Sequence, residues 1–483
     1  STNTSDNAVE EEEEEEESAR TEAEHMIEPT ADEEEFIQKY GAINVSYITP
    51  PKSNAWFTRP YALNYFHDGK LFRTRHERSS GKLELFLDLI YVGIVSNLAS
   101  DSVKNASWGS ILKFIVVFIP AWNIWCDLKE FMNSYFTDDM VQKGFVLWVV
   151  VLLIIYDNNC LLFEDDEKAL RTAVVAYALA RISFAGILTF YSLYIKEHRV
   201  QMRLFAASLV VTSCLWFVLF GIHRTAVKVG YCFIVLFFEQ LFWVLSIHPW
   251  TKRQLKLAHS TALNIEHEDE RFQSFFIIAL GEFLFGLVSG NTLKTGLNLK
   301  LSKGISVLVL SFLFLGFYTM KDGSIKAVHA LRRSATTAAL YIYSHLILIA
   351  ALLITGDSAV DLAEVSEPYL EHEELSVLIF HNTGIFFSMA MLSLIACLDK
   401  ETEYIGSCTL HSKYGRLGRL GLRVPVTCYI FASSWLYERM KLNTIMWVNT
   451  ILLFVVWLYE FCIANPMRMD ELRAQFKIRK ENS

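Results

Sequence analysis

From Leu83 onward the chain alternates between apolar runs of bilayer length and short clusters of charge. The runs are Leu83–Ala99, Trp108–Ile124, Phe145–Phe163, Ala173–Ile195, Leu204–Ile222, Val229–Ile247, Phe272–Ser289, Ile305–Thr319, Ala338–Ile354, Leu375–Leu398, Val424–Leu436 and Ile445–Ile463. A helix needs about 20 residues to cross a hydrocarbon core, and only Val424–Leu436 is both short and polar. None of the runs alternates with the period of two that barrel strands require, so each is read as a helix. The pattern predicts an all-α polytopic transmembrane bundle of about 12 helices, within a range of 10–12.

Charge fixes an expected orientation. With the N-terminus cytoplasmic, the segments on that side hold 28 Lys and Arg and those on the other side hold 10; Gly356–Leu375 holds none. The positive-inside rule then puts both termini in the cytoplasm. Six runs precede the polar stretch Pro249–Arg271 and six follow it, and LELFLDLIYVGIVSN and FIIALGEFLFGLVSGN open the two sets with an acid among aliphatics. Two six-helix halves related by duplication would give this layout. The resulting division is a disordered acidic tail at 1–40, a membrane-proximal lead-in at 41–82, a first helical half at 83–248, a cytoplasmic connection at 249–271, a second half at 272–465 and a basic tail at 466–483.

Composition agrees: 52% of the 483 residues are hydrophobic and only 20% are charged. The net charge of −9 comes from the N-terminal tail, with its unbroken Glu10–Glu17 run, so it implies no acidic surface elsewhere. No basic stripe or motif supports nucleic-acid binding. The first 40 residues are too polar for a signal peptide, so the first hydrophobic helix is expected to direct insertion. The eight cysteines are scattered without a CxxC, which points to neither disulfides nor zinc. With no P-loop, dinucleotide fingerprint or Ser-His-Asp set, no enzyme activity and no cofactor are expected.

Ionisable residues at membrane depth are the candidate chemistry, because each is costly to insert and tends to face a cavity or a partner. Glu84 and Asp88 lie four apart on one helical face, which Tyr91 extends. They suit a proton or cation site, or else cap the helix start and pair with Lys82 or Arg181. Arg181, mid-way along its helix, requires a carboxylate partner; Glu84, Asp88 and Glu282 are the candidates. Glu282 shares a face with Gly286 and Ser289, which favours close helix approach. His345 and His381 either relay protons or are satisfied core residues. Glu239 and Glu460 stand nearer polar neighbours and carry less weight. His259–Phe272 is rich in potential metal ligands, but its spacing matches no metal motif, and it reads as a solvated helix start with local ion pairs.

The same residues resemble the low temperature requirement A family of membrane proteins. The first helix of that family carries Glu-Leu-Phe-Phe-Asp-Leu, and here Glu84-Leu85-Phe86-Leu87-Asp88-Leu89 differs at one position. His267, Glu270-Arg271 and Ile277-Ile278-Ala279-Leu280-Gly281-Glu282 match a later block, although Phe283 stands where a smaller residue is common. Thr137-Asp138-Asp139, Ala178-Leu179-Ala180-Arg181 and Tyr343-Ser344-His345-Leu346 follow in the family's order, over about Gly81 to Ile354. The resemblance implies an architecture and a polar site, not a reaction. A fainter similarity links the start of each half to two-repeat endolysosomal potassium channels, whose Phe-Ser signature is absent from Leu83–Asp88.

The leading functional expectation is a secondary transporter or proton-coupled permeation protein for a small ion or solute. In it, Glu84, Asp88, Arg181 and Glu282 would converge on one buried site. A two-repeat cation channel and a non-transporting scaffold or stress-related sensor remain the alternatives. The lipid bilayer is the expected partner, and a homo-oligomer is left open.

Overall fold

The computed structural model describes residues 45–464 apart from 76–77, 79, 105, 290–292, 294, 321–325 and 404–417. The acidic tail, the basic tail and Cys408 lie outside the described residues. The fold is the all-helical polytopic bundle that the apolar runs predict. Its helices are α1 (Lys82–Lys104), α2 (Trp108–Tyr135), α3 (Met140–Cys160), α4 (Glu167–Tyr194), α5 (Arg199–Trp216), α6 (Thr225–Ile247), α7 (Ile265–Val288), α8 (Leu299–Met320), α9 (Ala335–Glu364), α10 (Leu375–Leu398), α11 (Arg423–Ser433) and α12 (Leu442–Ala464). Eleven helices among the described residues are long and apolar enough to cross a membrane.

The remaining one, α11, is the doubtful eleventh run. Its three turns span about 16 Å, far less than a hydrocarbon core of about 30 Å. Yet the segment reaches from one end of the bundle to the other. At its start Arg423 pairs with Glu460 near the end of α12, with both contacts at 2.7 Å. Past the 3-10 turn Ser434–Leu436, Tyr437 meets His372 in the α9–α10 connection at 3.1 Å, and Leu442 N donates to Pro368 O. The polar groups at the break are satisfied internally: Asn382 of α10 donates to the Ser433 and Ser434 hydroxyls, and Asn449 of α12 donates to Asn382. Such side chains are what let a broken helix persist at membrane depth. Cysteines introduced at Asp68 and Glu438 should therefore label from opposite sides of a sealed vesicle. Labelling of both from one side would overturn this count of crossings.

The two halves repeat each other's packing. In the first, α1 packs on α2, α3 on α4, α4 on α5, α5 on α6, and α6 back on α2. In the second, α7 packs on α8, α9 on α10, α10 on α11, α11 on α12, and α12 back on α8. The short sequence match between the halves does not follow this alignment, since Asp88 sits near the start of α1 and Glu282 near the end of α7. The halves meet where α1 touches α7 and α9, and where α7 touches α2. The α9–α10 pair is tight: a Cβ at Gly384 would press on the Thr355 hydroxyl and lie 3.0 Å from Ala351 O.

One end of the bundle carries a sheet, a feature absent from the sequence reading of the lead-in and connection. Its order is β1 (Val45–Ile48), β3 (Lys70–Thr74), β2 (Asn64–His67), β4 (His259–Thr261). β2 and β3 form a hairpin whose two-residue turn, Asp68-Gly69, has positive φ at both positions, as the favoured hairpin turn demands. β4 pairs with β2 and so ties the lead-in to the junction between the halves. Beneath it, His198 Nδ1 and Tyr135 OH share a hydrogen bond at 3.0 Å, and the ring packs edge-on to Tyr65. Burial, with Lys252 and His259 adding to it, pushes the pKa of His198 down to about 3, so it packs as a neutral ring. At the same end, Asp139 caps α3 and also accepts from Thr58 N.

Candidate functional site

α7 begins at Ile265, so the run His267-Glu268-Asp269-Glu270-Arg271 is its first turns. Successive helical residues point about 100° apart, so five consecutive ionisable groups must face all round the helix. Each finds a different neighbour. His267 and Arg271 reach α1, Glu268 reaches α2, Tyr341 of α9 donates to Asp269, and Ser80 N donates to Glu270. The segment is not the solvated start expected: His267, Glu268 and Arg271 are all 0% exposed. The reason is the parallel α1 beside it, which offers acids at the same spacing.

The result is a ladder. Glu84 meets His267 Nε2 at 3.0 Å, and Asp88 accepts from Arg271 Nη2 at 2.7 Å. Both rungs join residues 183 positions apart, and the rungs are four residues apart on each helix, so α1 and α7 lie parallel and in register. A third pair, Lys129–Glu268, links α2 to α7, with the lysine 4.2 Å from the centre of the Phe272 ring. Asn133 Nδ2 sits 3.1 Å from His267 Nδ1, so that nitrogen accepts and Nε2–H donates to Glu84. Glu84 also accepts from Arg78 at 2.6 Å and from Gly81 N at 2.7 Å. Burial pulls the Arg78 guanidinium below its ordinary pKa, and Glu84 opposes that.

Three acids (Glu84, Asp88, Glu268) face three bases (Arg78, Lys129, Arg271), with His267 beside them. Arg181 and Glu282, expected to converge with Glu84 and Asp88, are not part of this set. Asp88 Oδ2, Arg271 Nε and Nη1, and Tyr91 OH are buried without hydrogen-bond partners. Such atoms are rare in folded proteins. Trp125 closes this space, donating from Nε1 to Asp88 at 2.8 Å and stacking on Phe275.

Arg181 belongs to a second cluster. Its partner is Asp127 of α2 and not Glu84, Asp88 or Glu282. Nearby, Glu239 of α6 accepts from Tyr177 OH, Asn123 Nδ2 and Trp216 Nε1, at 2.9–3.0 Å. Asn123, Asp127, Arg181, Glu239, Gln240 and Tyr343 line a cavity of about 20 Å³, room for about one water. Glu282 joins neither cluster. It stands eleven residues, about 16 Å, along α7 from Arg271 and is half-buried. Phe283 and Gly286 pack there on Gly356 and Val360 of α9. His345 bonds Tyr318 of α8, while His381 Nδ1 donates to Thr355 O and ties α10 to α9.

A family model described as bacterial low temperature requirement A protein matches residues 79–465. The chain belongs to the low temperature requirement A family. No curated protein and no solved structure matches it. The matched span of this low temperature requirement A protein takes in every helix from α1 to α12 and leaves β1–β3 outside. Both charged clusters apart from Arg78 fall within it, and Glu84, Asp88, His267, Arg271 and Arg181 stand on blocks that carry the resemblance.

Proposed function

We propose that this protein is a proton-coupled secondary carrier of a small ion or solute, with the α1–α7 ladder as its closed inner gate. The observation that carries the reading is the pair of fully buried rungs, Glu84–His267 and Asp88–Arg271, which cross the boundary between two similarly packed halves. A carrier must part such a boundary and close it again in every cycle. An apolar seam would resist wetting, whereas paired charges recover hydration when separated and so lie nearer balance between the two states. His267 couples this gate to a proton, because Nδ1 can take one only by giving up the hydrogen bond from Asn133. The Asp127–Arg181–Glu239 cavity lies next along α2 from Lys129 and serves as the solute site, closed down to about one water in this conformation. The sheet end is then the cytoplasmic one, in keeping with the 28-to-10 split of basic residues.

The test is flux into proteoliposomes across a panel of ions and metabolites, with and without a pH gradient. Saturable uptake driven by the gradient is the expected result. Current that neither saturates nor couples would make the protein a channel, and no flux at all would make it a scaffold.

A further inference from the structure

A second polar chain leaves the ladder from its own helix. Asp269, flanked by Glu268 and Glu270, faces α9, where Tyr341 OH donates to its Oδ1 at 2.6 Å. His329, ahead of α9, places Nε2 3.3 Å from the same oxygen, and Asp269 keeps 14% of its side chain exposed. The phenol of Tyr318 on α8 interacts with that of Tyr341. Tyr318 OH in turn meets His345 Nε2 at 3.1 Å. His345 is ten residues into α9, about 15 Å deep, and 0% exposed. Phe272 lies against its ring, centroid to centroid 4.4 Å, and Phe276 stacks on Tyr318 at 4.1 Å, so the chain runs in an aromatic sleeve.

We infer that His345 is a proton-loading site reached from the sheet end through Asp269, Tyr341 and Tyr318. The hydrogen bonds set the direction. His345 Nδ1 lies 2.8 Å from the Tyr341 carbonyl, which only accepts, so Nδ1 carries the hydrogen and Nε2 presents a lone pair to Tyr318 OH. At rest both phenols donate outward, Tyr318 to His345 and Tyr341 to the Asp269 carboxylate, and neither donates to the other. A proton arriving on Asp269 reverses its bond. The Asp269 O–H then donates to Tyr341, Tyr341 to Tyr318 and Tyr318 to Nε2. One proton moves along each link: Asp269 returns to carboxylate, each tyrosine loses one proton and gains one, and His345 ends as imidazolium. Among the described residues, Asp399 at the end of α10 acts on Tyr341, and Lys129 lies over Phe272.

Proton loading at His345 is one half of the coupled reading above, and its measurement at equilibrium requires no flux. Full-length protein labelled at histidine with nitrogen-15 and placed in nanodiscs gives the rate at which Nε2 gains and loses its proton near its midpoint, with the signal assigned by its loss in His345→Asn. Tyr341→Phe removes one hydroxyl and keeps the ring, and it should slow that exchange at least tenfold. Asp269→Asn should slow it similarly and is the second variant if the first does not fold. Tyr156→Phe, whose hydroxyl serves only the Val117 carbonyl outside this chain, should leave the rate unchanged. Unchanged exchange in both Tyr341→Phe and Asp269→Asn would overturn the route, as would a neutral His345 carrying its hydrogen on Nε2. Exchange through Tyr341 in a protein that carries no solute would sink the carrier and leave the route standing.

Discussion

Arg271→Met alone should lower the stability of the folded protein by about 3–5 kcal/mol, because it leaves the Asp88 carboxylate charged, unpaired and out of reach of water. Asp88 is 0% exposed, and its remaining donor, Trp125 Nε1, is neutral. Asp88→Leu alone should cost a similar amount, by stranding the guanidinium, whose Nε and Nη1 already have no partner. The double variant Asp88→Leu with Arg271→Met should recover most of the loss. A deficit of about 1–3 kcal/mol should remain, from the Trp125 N–H left without an acceptor. Unfolding of the four proteins of this cycle in one detergent gives the coupling directly. Single variants within about 1 kcal/mol of the parent would mean that the second rung is hydrated, contrary to its burial.

The architecture is legible because bilayer length acts on every helix separately. Each apolar run reports its own crossing without needing a partner. What the runs hid were ends and interruptions. α2 continues to Tyr135 although its apolar run stops at Ile124, since Asp127, Lys129 and Asn133 are polar yet face protein. α11 is short in helix but crosses through a polar break whose partners, Asn382 and Asn449, come from other helices. The sheet escaped notice for a related reason: β4 is three residues long and pairs with a strand nearly 200 positions away.

The site was legible in part for the same reason. Glu84 and Asp88 stood out as charges inside an apolar run. Their partners did not, because His267 and Arg271 precede the run Phe272–Ser289 and so look like a wet flank. A matching signal was present: a basic or imidazole group at positions 267 and 271 repeats the four-residue spacing of 84 and 88. Two parallel helices with that shared spacing can pair only rung by rung. The partner of Arg181 is hidden because Asp127 lies just past the apolar run Trp108–Ile124. Pairing across helices depends on which helices touch, and that is tertiary information that no single run carries.

Glu84→Gln should expose the native Cys126 to thiol reagents from the sheet end, and this separates a gate from a static tie. Cys126 is 8% exposed and lines the Asp127–Arg181 cavity, one turn of α2 from Lys129. Glutamine keeps the size of the side chain but removes the charge that holds Arg78 and His267. A buried hydrogen bond to a charged group contributes about 1.5–3 kcal/mol, so the open state should gain about ten- to a hundredfold in population. Alkylation of Cys126 should accelerate by that factor, read by peptide mapping so that it is scored apart from Cys214, Cys397, Cys428 and Cys462 on the outside of the bundle. Cys160 and Cys232 are buried elsewhere in the first half and serve as the internal control. Protection that persists at those two while Cys126 reacts locates the opening at the ladder. If all three react together, Glu84→Gln has loosened the whole fold and the ladder is structural. If none reacts, the seam between α1 and α7 does not open and the carrier reading loses its gate.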